Sequence, residues 1–302
     1  MADSTTAREI DAAALDRAAR RISAARDAPW LHAEVARRMA ERLAIVRLQP
    51  ARVIDWWGHA GAGAALLAQA YPHAERVAIE TPAARAARLS ARNALPWWSP
   101  ARWREIAAVD VSCVAPGSAQ LVWANMMLHL VRDPGVLLQA WHSALSVDGF
   151  VMLSTLGPDT LKTLREVYRE AGWGPPHAAF TDMHDLGDML VRAGFADPVM
   201  DQELLRLTWA SPDALLTELR GLGGNADPGR HAGLRTPRWR SRLAAAIAER
   251  AGPDGRVALE FEIVYGHAFK PPPKVSVAAE TRLDVDAFRQ MARGGRRGRS
   301  LS

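Results

Sequence analysis

Residues 51–67 read Ala51-Arg52-Val53-Ile54-Asp55-Trp56-Trp57-Gly58-His59-Ala60-Gly61-Ala62-Gly63-Ala64-Ala65-Leu66-Leu67, and this stretch decides the fold. Arg52–Asp55 predicts a short strand that closes in a carboxylate. A turn of small residues follows, and Ala64–Ala70 predicts the start of a helix. A strand, a tight turn and a helix in that order open a nucleotide-binding α/β domain. There the ligand lies against the helix N-terminus and the carboxyl end of the strand.

Outward from this stretch, strands and helices alternate. Arg76–Glu80, Ile106–Asp110, Ala119–Asn125 and Gly149–Thr155 predict the second to fifth strands. Ala83–Asn93 and Val136–Leu145 predict helices between them. Such alternation implies parallel pairing with right-handed crossovers. Upstream, residues 7–47 read as helix, with apolar positions at helical spacing through Leu31, Val35, Met39 and Leu43 and a break at Asp27-Ala28-Pro29. Downstream, Thr160–Ala171, Met183–Ala193, Ser211–Arg220 and Arg238–Ala251 predict helices. Pro198–Trp209 and Val257–Phe269 predict strands, the latter ended by three prolines. The chain divides into a helical cap at 1–48, a ligand-binding core at 49–155, the rest of the sheet with helical insertions at 156–275, and a peripheral, partly disordered basic tail at 276–302.

The 302 residues are 49% hydrophobic and 24% charged, a composition that builds an ordinary globular core. A single cysteine, Cys113, excludes a disulfide framework and a cysteine-rich metal site, so no metal is expected. No uncharged apolar run reaches spanning length and the N-terminus lacks a secretory core, so a cytoplasmic protein is expected. The net charge of +5 comes almost wholly from arginine, the lysines being Lys162, Lys270 and Lys274. The densest basic cluster, Arg293 to Arg299, is glycine-rich and reads as a tail rather than as a nucleic-acid surface.

Three acids recur at strand ends: Asp55, Glu80 and Asp110. In an open parallel sheet these share one edge, where ligands bind. Glu80 stands 25 positions after Asp55, an offset that suits an acid accepting both ribose hydroxyls. Asp110 can accept from an adenine amino group, and Asp55 can orient the loop or meet an ammonium. Neither a Gly-x-Gly-x-x-Gly fingerprint nor a Gly-Lys-Ser/Thr ending follows the first strand. S-adenosylmethionine (SAM), a nucleoside without phosphate, needs only a tight turn.

The pattern resembles the class I SAM-dependent methyltransferases, whose fold is a Rossmann-like seven-stranded sheet. Gln120 to His129 looks like their fourth-strand motif, and Trp141 to Phe150 like their helix, turn and fifth strand. Five further segments narrow the match: Ser154 to Leu161, Phe180 to Asp188, Ala193 to Asp201, Leu219 to Asn225, and Val264 to Pro271. They are similar to the malonyl-acyl carrier protein O-methyltransferases of biotin synthesis (BioC), and the similarity spans residues 10 to 272. A mitochondrial arginine hydroxylase that assembles complex I shares this ancestry.

The resemblance implies methylation of the free carboxylate of a malonyl thioester, with SAM as cofactor and acidic acyl carrier protein as partner. It implies cofactor binding by Asp55, Gly61, Glu80, Asp110 and Asn125, and substrate positioning by His129, Tyr265 and Arg220. Arg235, Arg238 and Arg240 offer a basic rim for the carrier. The chain departs from the family in the first loop, where Trp57 and His59 replace glycines and only Gly61 keeps its place. Tryptophan is expected to supply neither the positive φ nor the close backbone approach of glycine, and its bulk to reach the methionine pocket. Gly58 and Gly63 offer a shifted turn. The alternative is a methyltransferase-like binding or assembly protein with a decayed cofactor site. A hydroxylase would need a redox metal, and His184 with Asp182 and Asp185 reads better as a helix cap.

Overall fold

The computed structural model describes residues 9–25, 27–80, 96, 98, 108–109 and 114–273. The expected helix Ala83–Asn93, Asp110 and the basic tail lie outside them. Residues up to Pro271 belong to one compact unit, and those from Pro272 to a second.

A seven-stranded sheet runs in the order β3-β2-β1-β4-β5-β7-β6. Its strands are β1 (Arg52–Trp56), β2 (Glu75–Ile79), β3 (Ala108–Val109), β4 (Ala119–Ala124), β5 (Leu145–Leu156), β6 (Ala196–Trp209) and β7 (Val257–Phe269). The first five pair in parallel, while β7 lies antiparallel between β5 and β6. All five parallel strands therefore end at one edge, with Asp55 beside Trp123 in register. Order reverses between β1 and β4, and ligands of such sheets bind at that switch point.

Alternation along the strands feeds two apolar layers. Val53, Leu121, Trp123, Phe150 and Met152 join one buried cluster, while Ile54, Trp56, Val122, Val151 and Leu153 join the other. Period-two side chains on a sheet covered on both faces give this result. The first layer is closed by α2 (Trp30–Leu43), whose Leu31, Val35, Met39 and Leu43 are buried as their spacing predicts. Each such side chain contributes about 1.5–3 kcal/mol when fully buried. Helix α1 (Ala12–Ala24) precedes it, capped by Asp11, whose carboxylate accepts from the Ala14 N–H at 3.0 Å.

The first loop contains the one-turn α3 (Gly58–Gly61), and beyond it come α4 (Ala64–Ala70), α5 (Pro134–Ala144), α6 (Lys162–Glu170), α7 (Met183–Arg192), α8 (Pro212–Gly221) and α9 (Pro237–Ala248). Proline at the first turn and an oxygen cap at Asp133, Ser211 and Thr236 start three of them. Asp182 caps α7 through the His184 N–H, in line with capping rather than metal binding. Three strands begin earlier than the sequence predicts, β2 by one residue at Glu75. β5 starts at Leu145 because Ala119 pairs with it across a register shift. β6 starts at Ala196, with a shift spanning Pro198, which cannot donate to the ladder.

Candidate active site

Residues 57–63 form a loop over the ends of β1, β2 and β4, and three elements hold it. Glu80 is buried directly after β2, and its Oε1 accepts from the His59 N–H at 2.9 Å. His32 on α2 is buried, and its Nδ1 donates to the Ala60 carbonyl at 2.7 Å. Burial pushes the His32 imidazole down to about 4, so the ring is neutral. Asn125 at the end of β4 is fully buried. Its Nδ2 donates to the carbonyls of Gly61 at 2.6 Å and His32 at 2.8 Å, and its Oδ1 accepts from Ser154 Oγ at 2.6 Å.

The loop corrects one expectation from the sequence. Trp57 does take positive φ, at 57°, and Ala62 follows at 54°. A left-handed L-residue costs about 1–2 kcal/mol and persists only where its surroundings over-determine it. Here the Trp57 N–H donates to the Ile79 carbonyl at 2.7 Å, and its carbonyl accepts from Gly61 N–H at 2.9 Å. The indole packs against the second apolar cluster. Close approach has passed to other glycines. A Cβ on Gly63 would lie 2.5 Å from Trp123 Nε1 and 3.3 Å from Asp55 Oδ1, and one on Gly58 would lie 2.8 Å from Asp55 Oδ2. The two glycines thus bring backbone against the Asp55 carboxylate, which is itself buried. At Gly61, a Cβ would meet Asn125 at ordinary contact distance, the carbonyl oxygen at 3.4 Å and the Cβ at 3.6 Å.

A cavity of about 610 Å³ opens beyond the ends of β4 and β5, at the same edge. His129 stands in the one-turn helix Leu128–Leu130, which the sequence pattern misses. It lines the cavity together with Leu156, Phe180, Tyr168, Trp239 and the arginines Arg220, Arg235 and Arg240. Arg235 and Arg240 are engaged, donating to the Trp173 carbonyl at 2.7 Å and to Asp213 at 2.9 Å. Arg220 is exposed and has no ion pair among the described residues. Leu15 of α1 also lines the cavity, and the Asp11 N–H, just ahead of that helix, donates to the Ala226 carbonyl at 2.8 Å.

The structure therefore brings His129 and Arg220 to one cavity, and Asp55, Gly61, Glu80 and Asn125 to one loop. Tyr265 joins neither group. It lies on β7, its hydroxyl donates to Glu203, and the Arg42 guanidinium sits 3.8 Å from the ring centroid. Burial and the Glu203 charge push its phenol well above the ordinary tyrosine range. His32 is the loop residue that sequence reasoning missed. An isolated histidine on the apolar face of a helix carries no local signal of a partner 28 positions away.

The sheet order, the acid-ended strands and the loop at the switch point define the Rossmann-like methyltransferase architecture. No family model matches the chain. A malonyl-acyl-carrier protein O-methyltransferase of Gallionella capsiferriformans is 36% identical over 274 residues, covering 88% of this chain and 93% of that one. The protein of the same name from Laribacter hongkongensis is 38% identical over 265 residues, covering 85% and 89%. Among solved structures, the YcgJ protein of Bacillus subtilis shares the fold, with a TM-score of 0.51 at 12% identity, covering 79% of this chain and 99% of that one. The chain belongs to the malonyl-acyl-carrier protein O-methyltransferase family.

Proposed function

We propose that this protein methylates the free carboxylate of a malonyl group carried as a thioester on acyl carrier protein, with SAM as methyl donor. The observation that supports this most is a relative of that name that is 36% identical along 93% of its own length. The loop residues suit the cofactor. Buried acids at successive strand ends offer acceptors to hydroxyl and ammonium groups, and Gly58 and Gly63 keep the backbone close to Asp55. In this reading Asp55, Glu80 and Asp110 hold SAM. Gly61 and Asn125 shape the loop under it.

When bound, SAM supplies an electrophilic methyl on a sulfonium. The acceptor needs no general base, because a carboxylate with a pKa near 4 is already ionised at neutral pH. The chain's task is to align an oxygen with the methyl and exclude water. Arg220 supports the first requirement, since a guanidinium can grip one carboxylate oxygen or both. The leucines and aromatic rings of the cavity support the second. His129 lines the cavity and in this reading positions the acceptor there.

The test has two stages. Titration calorimetry with SAM and S-adenosylhomocysteine should give heat at micromolar to millimolar ligand. No heat from the folded protein would falsify the enzymatic reading and leave a binding protein. Methyl transfer to malonyl-acyl carrier protein should then be lost in part in Arg220→Met. A rise in KM of about 10–100-fold is expected, the worth of one charge-assisted hydrogen bond at about 1.5–3 kcal/mol, with SAM binding unchanged.

A further inference from the structure

His59 stands where the family's first loop has a glycine. Its backbone N–H serves Glu80, a bond that any residue except proline can make. Its side chain does something a glycine cannot. The imidazole reaches out of the loop, and Nε2 lies 3.0 Å from the carbonyl of Ala25, the residue that follows α1. A carbonyl only accepts, so Nε2 carries the proton and donates.

The body of α1 belongs to the acceptor cavity. Ala14, Leu15, Ala18 and Ile22 form one buried stripe at helical spacing, and Leu15 lines the cavity together with Gly224, Asn225 and Ala226. The stripe packs on that same segment. Ala14 and Leu15 join Ala226 in a small apolar cluster apart from the two sheet layers. A Cβ on Gly223 would meet Ala18 at 3.4 Å and Ile22 at 3.5 Å. Polar contacts fasten the pair, since Arg21 donates to the Gly223 carbonyl and Asp11 is ion-paired with Arg230. Helix α1 and residues 223–230 thus make one wall of the cavity, and His59 ties the first loop to that wall.

We propose that His59 is a positioning residue: it couples the loop that holds SAM to the helix that walls the acceptor cavity, so that each ligand tightens the site for the other. This rests on the methyltransferase reading above and adds how the two substrates are brought into register. A loop ordered by SAM holds Ala25 through the imidazole, and α1 then keeps Leu15 against the acceptor. Linkage requires the acceptor to favour SAM by the same factor. One hydrogen bond sets that factor at about two- to tenfold in affinity.

His59→Gly removes the imidazole and keeps the N–H that Glu80 accepts. His59→Gln keeps a side-chain N–H donor. Titrating malonyl-acyl carrier protein with and without S-adenosylhomocysteine gives the coupling as a ratio of two Kd values. In the native protein the acceptor should bind about two- to tenfold more tightly with S-adenosylhomocysteine present. The ratio should fall to about one in His59→Gly and return in His59→Gln, with thermal melts confirming folding. A merely structural role would lower the melting temperature or both affinities and leave the ratio alone. A native ratio of one, or a ratio unchanged in His59→Gly, overturns the proposal. Hydrogen exchange over residues 12–24 reads the link without an acceptor. S-adenosylhomocysteine should slow exchange there in the native protein and not in His59→Gly, and equal slowing in both overturns the link. Methyl transfer assayed in parallel separates the two ideas. A native protein whose exchange responds but which methylates no malonyl thioester keeps the link and loses the functional reading; one that methylates without coupling does the reverse.

Discussion

Asn125→Ala removes one side chain and unties three elements at once. The carbonyls of Gly61 and His32 lose their donor, and Ser154 Oγ loses its acceptor. Asn125 is fully buried, so water does not replace these partners without rearrangement. Three buried hydrogen bonds at about 1 kcal/mol each put the loss at about 3 kcal/mol, out of a total of about 5–15 kcal/mol. For a chain of this size that lowers Tm by roughly 5 °C. Asn125→Asp is the companion. Its carboxylate faces two carbonyl oxygens, which raises its folded-state pKa above the unfolded value near 4. The sign follows from linkage: the variant is least stable at neutral pH and regains stability as pH falls through the raised value. Urea unfolding at two pH values measures both effects, and calorimetry with SAM measures the loosened loop. An Asn125→Ala protein within about 1 kcal/mol of the parent, binding SAM equally well, refutes the claim that this residue clamps the loop.

Gly63→Ala should cost about 1–3 kcal/mol by overpacking, because its Cβ would sit 2.5 Å from Trp123 Nε1; Gly221→Ala, with open space around it, should be close to neutral in the same thermal melt. His32 is held near 4 by burial, against 6.5 when free, so unfolding takes up a proton and stability falls as pH drops from about 6.5 to about 4. Over that window His32 contributes on the order of 3 kcal/mol, and His32→Gln should remove that share of the slope in urea unfolding. Tyr265→Phe should cost about 1 kcal/mol through the lost bond to Glu203; a fall in kcat/KM beyond about tenfold in the folded variant would instead put the phenol at the chemistry.

The sequence by itself determined the sheet. Period-two alternation and acid-ended strands are local signals, so β1, β2 and β4 and the buried stripe of α2 are legible without coordinates. The family motifs likewise carry the activity class. Segments 83–93 and 276–302, read as a helix and a basic tail, lie outside the described residues. The state of the first loop was not legible. Whether Trp57 can take positive φ depends on Ile79, Gly61 and the second apolar cluster around it, and the αL cost of a single residue is smaller than what those contacts return. The same holds for His32 and Asn125, whose partners lie 28 and up to 93 positions away. Local propensity is set by neighbours in the chain, whereas hydrogen-bond partners and strain are set by neighbours in space. The fold was therefore readable from the chain, and the working form of its site came only with tertiary packing.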